Sequence, residues 1–391
     1  MSPEAPQGFH IDEVRQTATR FAARHIAPGA ADHDHGPPTF PAGVFAQGLE
    51  AGFDRFVLPE SAGGFGFHGI DLCALVDALA LSCAGHAMVF GVHAAAVAAL
   101  HRAGAGASAD APLGRVLEAG APLGVALPDP APEAAPEAGA LAPTLRALGA
   151  KERTLRGDAG LAFNAGPAGF LLTFAVAEEG EPLALLLADA DADADAGADA
   201  GADAGASLYG PLEAALGLRA LPLASTRLDG RSVASHEVVA KGEAAVRLYE
   251  ELLAGLCRVT AAAAAGLMRR AHRTALEYTA DRYQGAKQII DHSHLRGILG
   301  SMSARAMAAQ GAVFHAALVG DDTRLAVGTK VTATEDALRG CTDAVQLLGG
   351  YGYMRDYGLE KAMRDAAVLG LLPISNARAE QLITAQEKAA L

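Results

Sequence analysis

The order of local sequence patterns along the chain constrains its fold more than any other feature. Apolar residues recur at helical spacing through about the first 120 residues and again from about residue 242 to the end. Short apolar runs separated by Gly, Pro and charged residues lie between these regions, as expected of a small β domain. We therefore expect an α+β protein with helical, β and helical domains at residues 1–122, 123–241 and 242–391.

Proline and glycine residues set the expected limits of the helices. Helices are expected at residues 10–26, 40–51, 69–84 and 86–104 in the first domain, and at 243–283, 289–318, 323–348 and 356–387 in the third. Pro28 is expected to end the first helix, Pro41 to begin the second and Pro373 to break the last. The paired Gly63 and Gly64 permit a chain reversal that bulkier residues resist.

The middle domain combines short strands with two segments of low complexity. Strands are expected at residues 123–127, 161–164, 170–177, 183–187 and 225–228. Residues 128–143 are rich in Pro, Ala and Glu, and residues 188–206 repeat Ala-Asp and Gly-Ala-Asp. The second segment has no apolar area to offset its ordering entropy, so we expect a disordered surface loop. Its Asp residues lack the pattern of a calcium-binding loop.

Charge and cysteine content exclude several classes of function. The net charge of −14 argues against a surface that coats nucleic acid. Neither a signal peptide nor a continuous apolar run of membrane-spanning length is evident, so we expect a cytoplasmic protein without membrane insertion. The four cysteines are scattered and form no C-x-x-C pair, which favours buried reduced thiols over a zinc site. No metal is expected.

The segment from Gln346 to Asp365 reads QLLGGYGYMRDYGLEKAMRD. It resembles the flavin-contacting segment of the acyl-CoA dehydrogenase family, which carries the motifs Q-x-x-G-G and RDA. Further resemblances to family motifs occur at Leu58-Pro59-Glu60 with Gly63-Gly64, at Gly217-Leu218-Arg219-Ala220 (GLRAS) and at Arg282-Tyr283-Gln284 (R-x-Q-F-G). The resemblance covers nearly the whole chain. It implies an N-terminal helical domain, a middle β-barrel or sandwich domain and a C-terminal four-helix bundle.

The resemblance also implies ligands and partners. It implies FAD as cofactor, an acyl-CoA or acyl-carrier thioester as substrate and an electron-transfer flavoprotein as a candidate electron acceptor. The cofactor-binding residues carried over are Arg282, Gln284, His292, Gln346, Gly349, Gly350 and Ser375. Arginine supplies planar donors for a pyrophosphate, glutamine both donates and accepts, and adjacent glycines let backbone N–H groups approach a cofactor.

Four of these residues have a structural alternative. Gly349-Gly350 alone is also typical of a helix stop with a tight turn. His292 either contacts flavin or packs at an interface, and its neighbours in Asp291-His292-Ser293-His294 diverge on a helix and do not converge on one metal ion. Ser375 stands where the family has the Thr of E-G-T, and it serves either flavin or a turn.

The chain departs from the family where the catalytic base is expected. In most members a glutamate lies nine residues after the Arg of RDA, and this position is Pro373. In others the base lies early on the first long helix of the third domain, where this chain has Leu256. Neither residue accepts a proton. Glu250 and Glu251 are candidate substitutes, with solvated acids near a helix start as the plainer interpretation.

The part of the family's flavin pocket that a chain builds for itself is also changed. The family's A-L-T-E-P-x-x-G-S-D corresponds to Ala126-Leu127-Pro128-Asp129-Pro130, so the threonine is replaced and G-S-D is missing. The strand K-x-W-I-T-N corresponds to residues 159–164, of which only Asn164 keeps its identity. The residues that resemble the family's contributions to a neighbouring subunit's flavin are retained.

This asymmetry gives the function hypothesis. The resemblance implies a subunit that completes the flavin site of a paralogous acyl-CoA dehydrogenase chain, with its own base lost, or a related homodimer or tetramer. One alternative is a self-sufficient flavoenzyme with altered chemistry, such as desulfination or oxidation of a carrier-bound acyl group. Another alternative is a flavin-free scaffold that keeps only the fold.

Overall fold

The computed structural model describes residues 10–128 (except 107, 109 and 110), 145–149, 153–165, 169–189, 207–389 (except 321) and 391. The helices are α1 Ile11–Phe21, α2 Ala30–His35, α3 Ala42–Glu50, α4 Gly69–Ala80, α5 Ala84–Arg102, α6 Pro112–Glu118, α7 Glu243–Asp281, α8 Ser293–Val319, α9 Thr323–Leu348, α10 Leu359–Leu369 and α11 Asn376–Ala389. The strands are β1 Leu123–Ala126, β2 Arg146–Leu148, β3 Arg153–Arg156, β4 Leu161–Phe163, β5 Phe170–Ala177, β6 Pro182–Ala188, β7 Tyr209–Leu212, β8 Leu223–Thr226, β9 Ser232–Val233, β10 Val238–Lys241, β11 Tyr283–Gln284 and β12 Lys287–Gln288.

The helical, β and helical order expected from the sequence is confirmed. β1 follows the first six helices, and α7 to α11 follow the ten strands of the middle sheet. The domain limits at 122/123 and 241/242 stay predictions. Most of the low-complexity segments 128–143 and 188–206 lies outside the described residues, including the expected disordered loop.

Helix α7 is the central element of the helical core. It contacts α4, α5, α8, α9 and α10 along its length. Residues 261–265 are five consecutive fully buried alanines, and a Cβ on the following Gly266 would lie 2.2 Å from the backbone oxygen of Asp77 in α4. The small side chains therefore let α4 and α7 pack almost backbone to backbone.

Two of the core helices are long and apolar enough to cross a membrane by length and composition alone. They are α5 and α7, and their most apolar windows are 89% and 94% buried within the protein. Their apolar faces are thus already covered by other elements of the fold. All four cysteines are buried and free, as expected.

The middle domain is a twisted sheet with an apolar core on each face. β5 pairs in parallel with β1 and β2 and antiparallel with β6, and β4, β8 and β7 extend the sheet beyond β1. Alternate residues of β5 face opposite sides: Leu172 and Phe174 join the helical core, whereas Leu171 and Ala175 join a second core among the strands. This alternation is the normal period of a strand and gives the sheet an apolar core on each face.

Several expected boundaries are wrong. Pro28 does not stop the first helical segment, because the chain continues through a π-helical turn and a 3₁₀ turn that begins beside Pro28 and then enters α2. Proline is tolerated there since first-turn N–H groups need no helical acceptor. The third-domain helix expected from residue 289 starts at Ser293, and the strand expected at 225–228 spans Leu223–Thr226. The break at Pro373 and the reversal at Gly63, which has φ +76°, are confirmed.

Arg364 of the RDA motif joins the three parts of the chain. Its guanidinium donates to both carboxylate oxygens of Asp34 in α2, at 3.1 and 2.6 Å, and to the backbone oxygen of Leu216 at 2.9 Å. It also pairs with Glu360 one turn earlier in α10. Arg364 therefore connects α2, the loop between β7 and β8 of the β domain, and α10.

Asp365, the next residue of the RDA motif, makes further contacts between α10 and the β domain. Its carboxylate accepts a hydrogen bond of 2.6 Å from the backbone N–H of Leu218. The same carboxylate forms an ion pair with Lys361. A Cβ on Gly217 would lie 2.5 Å from the backbone of Arg364, so the glycine is needed for this approach. The GLRA and RDA segments thus hold each other in place.

Cys83 lies at the edge of the same junction, 3.5 Å from the Nζ of Lys361. Burial opposes ionisation of the thiol, but the Lys361 ammonium and the neighbouring His86 together outweigh burial, and the pKa of Cys83 is lowered to about 6. The thiol is buried, as the sequence indicates, but its environment is ionic.

Asp34, His35 and Glu360 bring three potential metal-ligand atoms within 4.8 Å of one another. Both carboxylates already pair with the Arg364 guanidinium. A divalent cation at this position would have to displace that guanidinium, so the group is an ion-pair network of the fold.

We expect Asp34→Asn to lower the free energy of unfolding at pH 7 by about 2 kcal/mol, since it weakens a charged hydrogen-bonded pair while Glu360 still pairs with Arg364. Burial raises the pKa of Asp34, but the Arg364 hydrogen bonds and the neighbouring positive charges, chiefly Lys361 and Arg364, together outweigh burial and leave the pKa below 3.8. Its stabilisation is therefore present above pH 3.8 and is lost as pH falls through the folded pKa. Chemical denaturation between pH 3 and pH 7 is the measurement.

The control is Glu380→Gln, an exposed carboxylate on α11. The wild-type advantage over Asp34→Asn should shrink in acid, whereas Glu380→Gln should stay close to wild type throughout. An Asp34→Asn difference that does not change with pH would contradict the assigned ion pair.

Candidate flavin-facing site

The hairpin after α7 carries the residues that resemble the family's R-x-Q-F-G motif. β11 and β12 pair through Tyr283–Gln288 and Gln284–Lys287, and the two turn residues Gly285 and Ala286 have φ of +66° and +64°. Positive φ at both positions defines a type I′ turn. Aligned on Arg282, Gly285 stands in place of the motif's Phe and Ala286 in place of its Gly. A non-glycine residue in this conformation costs roughly 1–2 kcal/mol.

The backbone of Arg282 is held by hydrogen bonds, whereas its side chain is exposed. Its N–H donates to the backbone oxygen of Tyr278 at 2.9 Å, and its own oxygen accepts from Ile289 at 2.8 Å. The guanidinium forms no hydrogen bond or ion pair with the described residues, and the side chains of Gln284 and Gln346 are likewise exposed and unpartnered within them. These groups are fixed at their backbone and free to meet a ligand or another chain.

His292 supports the hairpin. The sequence predicts a helical position for this residue, which is wrong: His292 is the extended residue before α8. Its Nε2 lies 3.1 Å from the backbone oxygen of Gln284, and a Cβ on Gly285 would come within 3.3 Å of its ring. The packing alternative therefore has direct support, while contact with flavin stays a prediction.

The end of α9 brings the second motif to the same face. Gly349 terminates the helix with φ +56° and ψ −129°, so the helix-stop interpretation is confirmed. A Cβ on Gly349 or Gly350 would meet no atom within 4 Å, and both glycines are exposed. The Gly349 N–H already donates to the backbone oxygen of Gln346, and its oxygen accepts from Gly352, so the two glycines leave an uncovered surface beside the backbone that a ligand can approach.

Tyrosines link the two motifs. The ring of Tyr278, one turn before Arg282, lies 6.1 Å from that of Tyr351 and 5.5 Å from that of Tyr357. Aromatic pairs at such distances are stabilising. The contact places the Arg282 hairpin and the Gln346–Gly350 segment side by side. We call the surface formed by Arg282, Gln284, Gln346, Gly349 and Gly350 the flavin-facing surface.

The corresponding groups on the chain's own β domain are engaged within the fold. Asn164 is buried with φ +54°, and its amide donates to the backbone oxygen of Val89 at 3.0 Å. The Oη of Tyr249 lies 3.5 Å from the backbone oxygen of Pro128, and its ring packs edge-on against Phe174. The one retained residue of the family's strand thus fastens the β domain to α5.

Neither expected base position supplies a base. Leu256 is buried in α7, and Pro373 lies in the turn between α10 and α11. Glu251 pairs with Arg102 at 3.1 Å. Glu250 lies in the third turn of α7, half-buried, and burial raises its pKa. It is therefore only partly solvated and lies beyond the first turn of α7.

Ser375 acts as a helix cap. Its Oγ accepts a hydrogen bond of 3.3 Å from the backbone N–H of Arg378 in the first turn of α11. Serine is a preferred residue at this position because it satisfies an N–H group without a helical partner. The turn interpretation is supported, and the flavin contact stays a prediction.

Lys330 of α9, which no sequence motif singles out, holds the turn that contains Pro373. Its fully buried ammonium donates to the backbone oxygens of Gly370 and Ile374, at 3.0 and 2.7 Å, and to Asn376 Oδ1 at 2.6 Å. Burial lowers the pKa of Lys330 from 10.5 to about 8. A local sequence pattern cannot reveal this residue, since its acceptors lie on other elements.

The residues present fit one half of a flavin dinucleotide site. Arg282 and Gln346 offer donors, and Gly349-Gly350 offers open backbone on the same exposed surface, which suits an anionic and polar ligand. The other half does not fit, because Pro128 has neither a hydroxyl nor an N–H and Asn164 donates elsewhere. The chain's groups are thus suited to the edge of a flavin held mainly by another surface.

Comparisons with known proteins assign the class. Residues 10–118 match the acyl-CoA dehydrogenase N-terminal domain, and residues 254–372 match the acyl-CoA dehydrogenase C-terminal domain. The chain belongs to the acyl-CoA dehydrogenase family.

Curated relatives span the chain at modest identity. The acryloyl-CoA reductase (NADH) of Anaerotignum propionicum is 26% identical over 91% of this chain and 88% of its own length. The cyclohexane-1-carbonyl-CoA dehydrogenase of Geobacter metallireducens is 25% identical over 96% of both chains. These relatives are similar over their whole lengths, so the likeness is not confined to one domain.

Solved structures agree in fold. Butyryl-CoA dehydrogenase from Megasphaera elsdenii has a TM-score of 0.82 at 22% identity over 99% of both chains. The prolyl acyl carrier protein oxidase AnaB has a TM-score of 0.81 at 16% identity over 98% of this chain and 100% of its own. The expected fold, with its helical bundle and middle β domain, is therefore confirmed.

We expect Lys330→Met to lower the free energy of unfolding by about 3 kcal/mol, since it leaves buried acceptors without a donor. The folded pKa of about 8 lies below the ordinary value of 10.5, so the unfolded chain binds more protons between these values. The contribution of Lys330 to stability therefore rises with pH in this window. Denaturation at pH 7.5 and pH 9.5 is the measurement.

Lys241→Met, at an exposed lysine that ends β10, is the matched control. The gap between wild type and Lys330→Met should widen at the higher pH, and Lys241→Met should show no such change. If the difference in free energy of unfolding between wild type and Lys330→Met narrows with rising pH, the pKa of Lys330 is not lowered by the fold.

Proposed function

We propose that this chain is a subunit of an FAD-dependent acyl-CoA dehydrogenase that completes the flavin site of a partner subunit. The observation that carries the proposal is the asymmetry between the two sides of the site. The flavin-facing surface keeps an unpartnered Arg282 and an open Gly349-Gly350, whereas Pro128 and Pro373 replace functional groups on the chain's own side.

The proposed role of the flavin-facing surface follows from its chemistry. Arg282 would pair with the pyrophosphate of FAD, and Gln284 and Gln346 would hydrogen-bond its polar groups. Backbone N–H groups around Gly349 and Gly350 would approach without a Cβ in the way. FAD itself supplies the hydride acceptor when it is bound. His292 and Ser375 act indirectly in this proposal, by holding the hairpin and the start of α11.

The proposed loss of chemistry on the chain's own side has a simple physical basis. Removal of an α-proton from an acyl thioester needs a group that accepts a proton. Proline and leucine stand at the two base positions that the family uses, and both side chains lack such a group. The partner subunit, a paralogue with an intact base, would then bind the acyl-CoA or acyl-carrier thioester and pass electrons to an electron-transfer flavoprotein.

A self-sufficient flavoenzyme with altered chemistry is the second candidate. The observation that favours it is Glu250, a half-buried carboxyl in α7 whose pKa is raised by burial. A raised pKa suits a general base. Solved relatives of this fold also include chains named for other reactions, namely AnaB and the nitroalkane oxidase of Podospora anserina.

Flavin content separates these candidates. The chain should be colourless when purified alone and should yield a yellow complex when co-expressed with a paralogous chain that has the glutamate base. Visible absorbance between about 350 and 500 nm, normalised to protein, is the measurement. Flavin in the chain alone, bleached by an acyl-CoA, would sink the subunit proposal and favour the self-sufficient enzyme. Absence of flavin in both preparations would favour the scaffold.

Arg282→Ala tests the flavin-facing surface within the complex. Loss of a charge-assisted hydrogen bond to a pyrophosphate, worth about 1.5–3 kcal/mol, should weaken flavin retention by roughly tenfold or more. Arg247→Ala is the matched control, because Arg247 is an exposed arginine near the other end of the same helix. Flavin release during dialysis is measured for both. Equal retention in the two variants would show that Arg282 does not hold the cofactor.

A further inference from the structure

A cleft of about 300 Å³ lies between α7, α8 and the residue that follows α4. Arg269, His272 and Arg273 line it from α7, at the i, i+3 and i+4 spacing that places side chains on one face of a helix. Ser303 and Gln310 line it from α8 at an interval of two helical turns. The cleft is therefore built by two facing helix surfaces.

The charge of this cleft is opposite to that of the whole chain. Its lining contains three basic residues and, among the described residues, no carboxylate, although the chain has a net charge of −14. Burial lowers the pKa of His272, so this ring is a neutral hydrogen-bonding group at neutral pH. The positive charge comes from Arg269 and Arg273.

A buried carboxylate holds one of these arginines in position. Asp77 of α4 has a side chain 2% exposed, and its Oδ2 accepts from Arg269 Nη1 and from Gln310 Nε2. Arg15 Nη2 lies 3.6 Å from the same oxygen. One carboxylate thus serves two guanidinium groups, which leaves an excess of positive charge beneath the cleft. The same contacts fix Arg269 and Gln310 at the cleft wall.

Two further donors in the cleft are without partners in the part of the chain that the structure describes. The exposed guanidinium of Arg273 and the Oγ of Ser303 form no hydrogen bond there. An oriented arginine beside a free arginine and a hydroxyl is a donor set that matches the oxygens of a phosphate or carboxylate.

We propose that this cleft binds a compact dianion, a phosphate group or a small dicarboxylate, between Arg269 and Arg273. Ser303 donates to the same ligand. The volume lies at the lower end of the roughly 300–1,000 Å³ of small-molecule sites, which restricts the ligand to a few heavy atoms. The apolar wall formed by Met307 accommodates a short carbon segment.

This site is separate from the flavin-facing surface. Arg273 lies within α7, about two turns before the helix ends at Asp281, whereas Arg282 follows the helix with an extended backbone, and the residues that line the cleft include none of the flavin-facing surface. The dianion site does not depend on whether the chain binds flavin.

Titration calorimetry with inorganic phosphate, and separately with malonate, at constant ionic strength and neutral pH tests the proposal on the full chain. Wild type should bind one equivalent of at least one of these dianions, and the stronger of the two identifies the source. Arg273→Gln should weaken that binding about tenfold, the loss of one charged contact. Arg247→Gln, an exposed arginine at the start of α7, should bind as wild type does.

Arg273→Gln keeps a good helix former at an exposed position, so a folding defect is not expected, and an unchanged far-ultraviolet spectrum verifies this. Binding lost equally in Arg273→Gln and Arg247→Gln, or unchanged in both, would overturn the assignment to this cleft. Failure of wild type to show saturable binding of either dianion would overturn the proposal itself.

Discussion

The ion pair between Arg364 and Asp34 is the interaction on which the arrangement of the whole chain depends. It joins residues 330 positions apart and connects α2 to α10 through a two-point contact with little solvent around Asp34. Asp365, the next residue, accepts a hydrogen bond from the backbone N–H of Leu218 and so holds the loop between β7 and β8 of the β domain. A buried pair of this kind is costly to break, because each partner would be left charged and desolvated. The three parts of the protein are therefore oriented by adjacent side chains of one helix.

This arrangement changes what the family signature means. The RDA and GLRA segments are among the most recognisable parts of the sequence, and in the structure they contact each other and the first helical region. They specify domain geometry, so a chain can retain them after its catalytic groups have gone. The residues that would report on chemistry are Pro373, Leu256 and Pro128, at positions where the resemblance leads one to expect functional groups. Recognition of the fold and inference of activity thus rest on different residues.

Much of the fold could be predicted because the relevant signals are local. Helix α9 spans the expected 323–348, since Asp322 caps one end and Gly349 stops the other. Strands β2 and β3 are not among the expected strands, because each has a single buried residue and so forms no apolar run. At the candidate site, the local turn at Gly349 was predictable, whereas the acceptors of Lys330 lie 40 to 46 residues away and leave no local pattern. The capping role of Ser375 was foreseeable only as one of two alternatives.

The tyrosines beside the flavin-facing surface have a consequence for how the chain behaves outside a complex. Tyr283 and Tyr353 are 66% and 68% exposed, and they flank polar groups that have no partner within the described residues. A chain that binds this surface stabilises the folded state, and the stabilisation grows with the concentration of that chain. The apparent melting temperature of the isolated chain should therefore rise with the concentration of any chain, a second copy of itself included, that covers this surface.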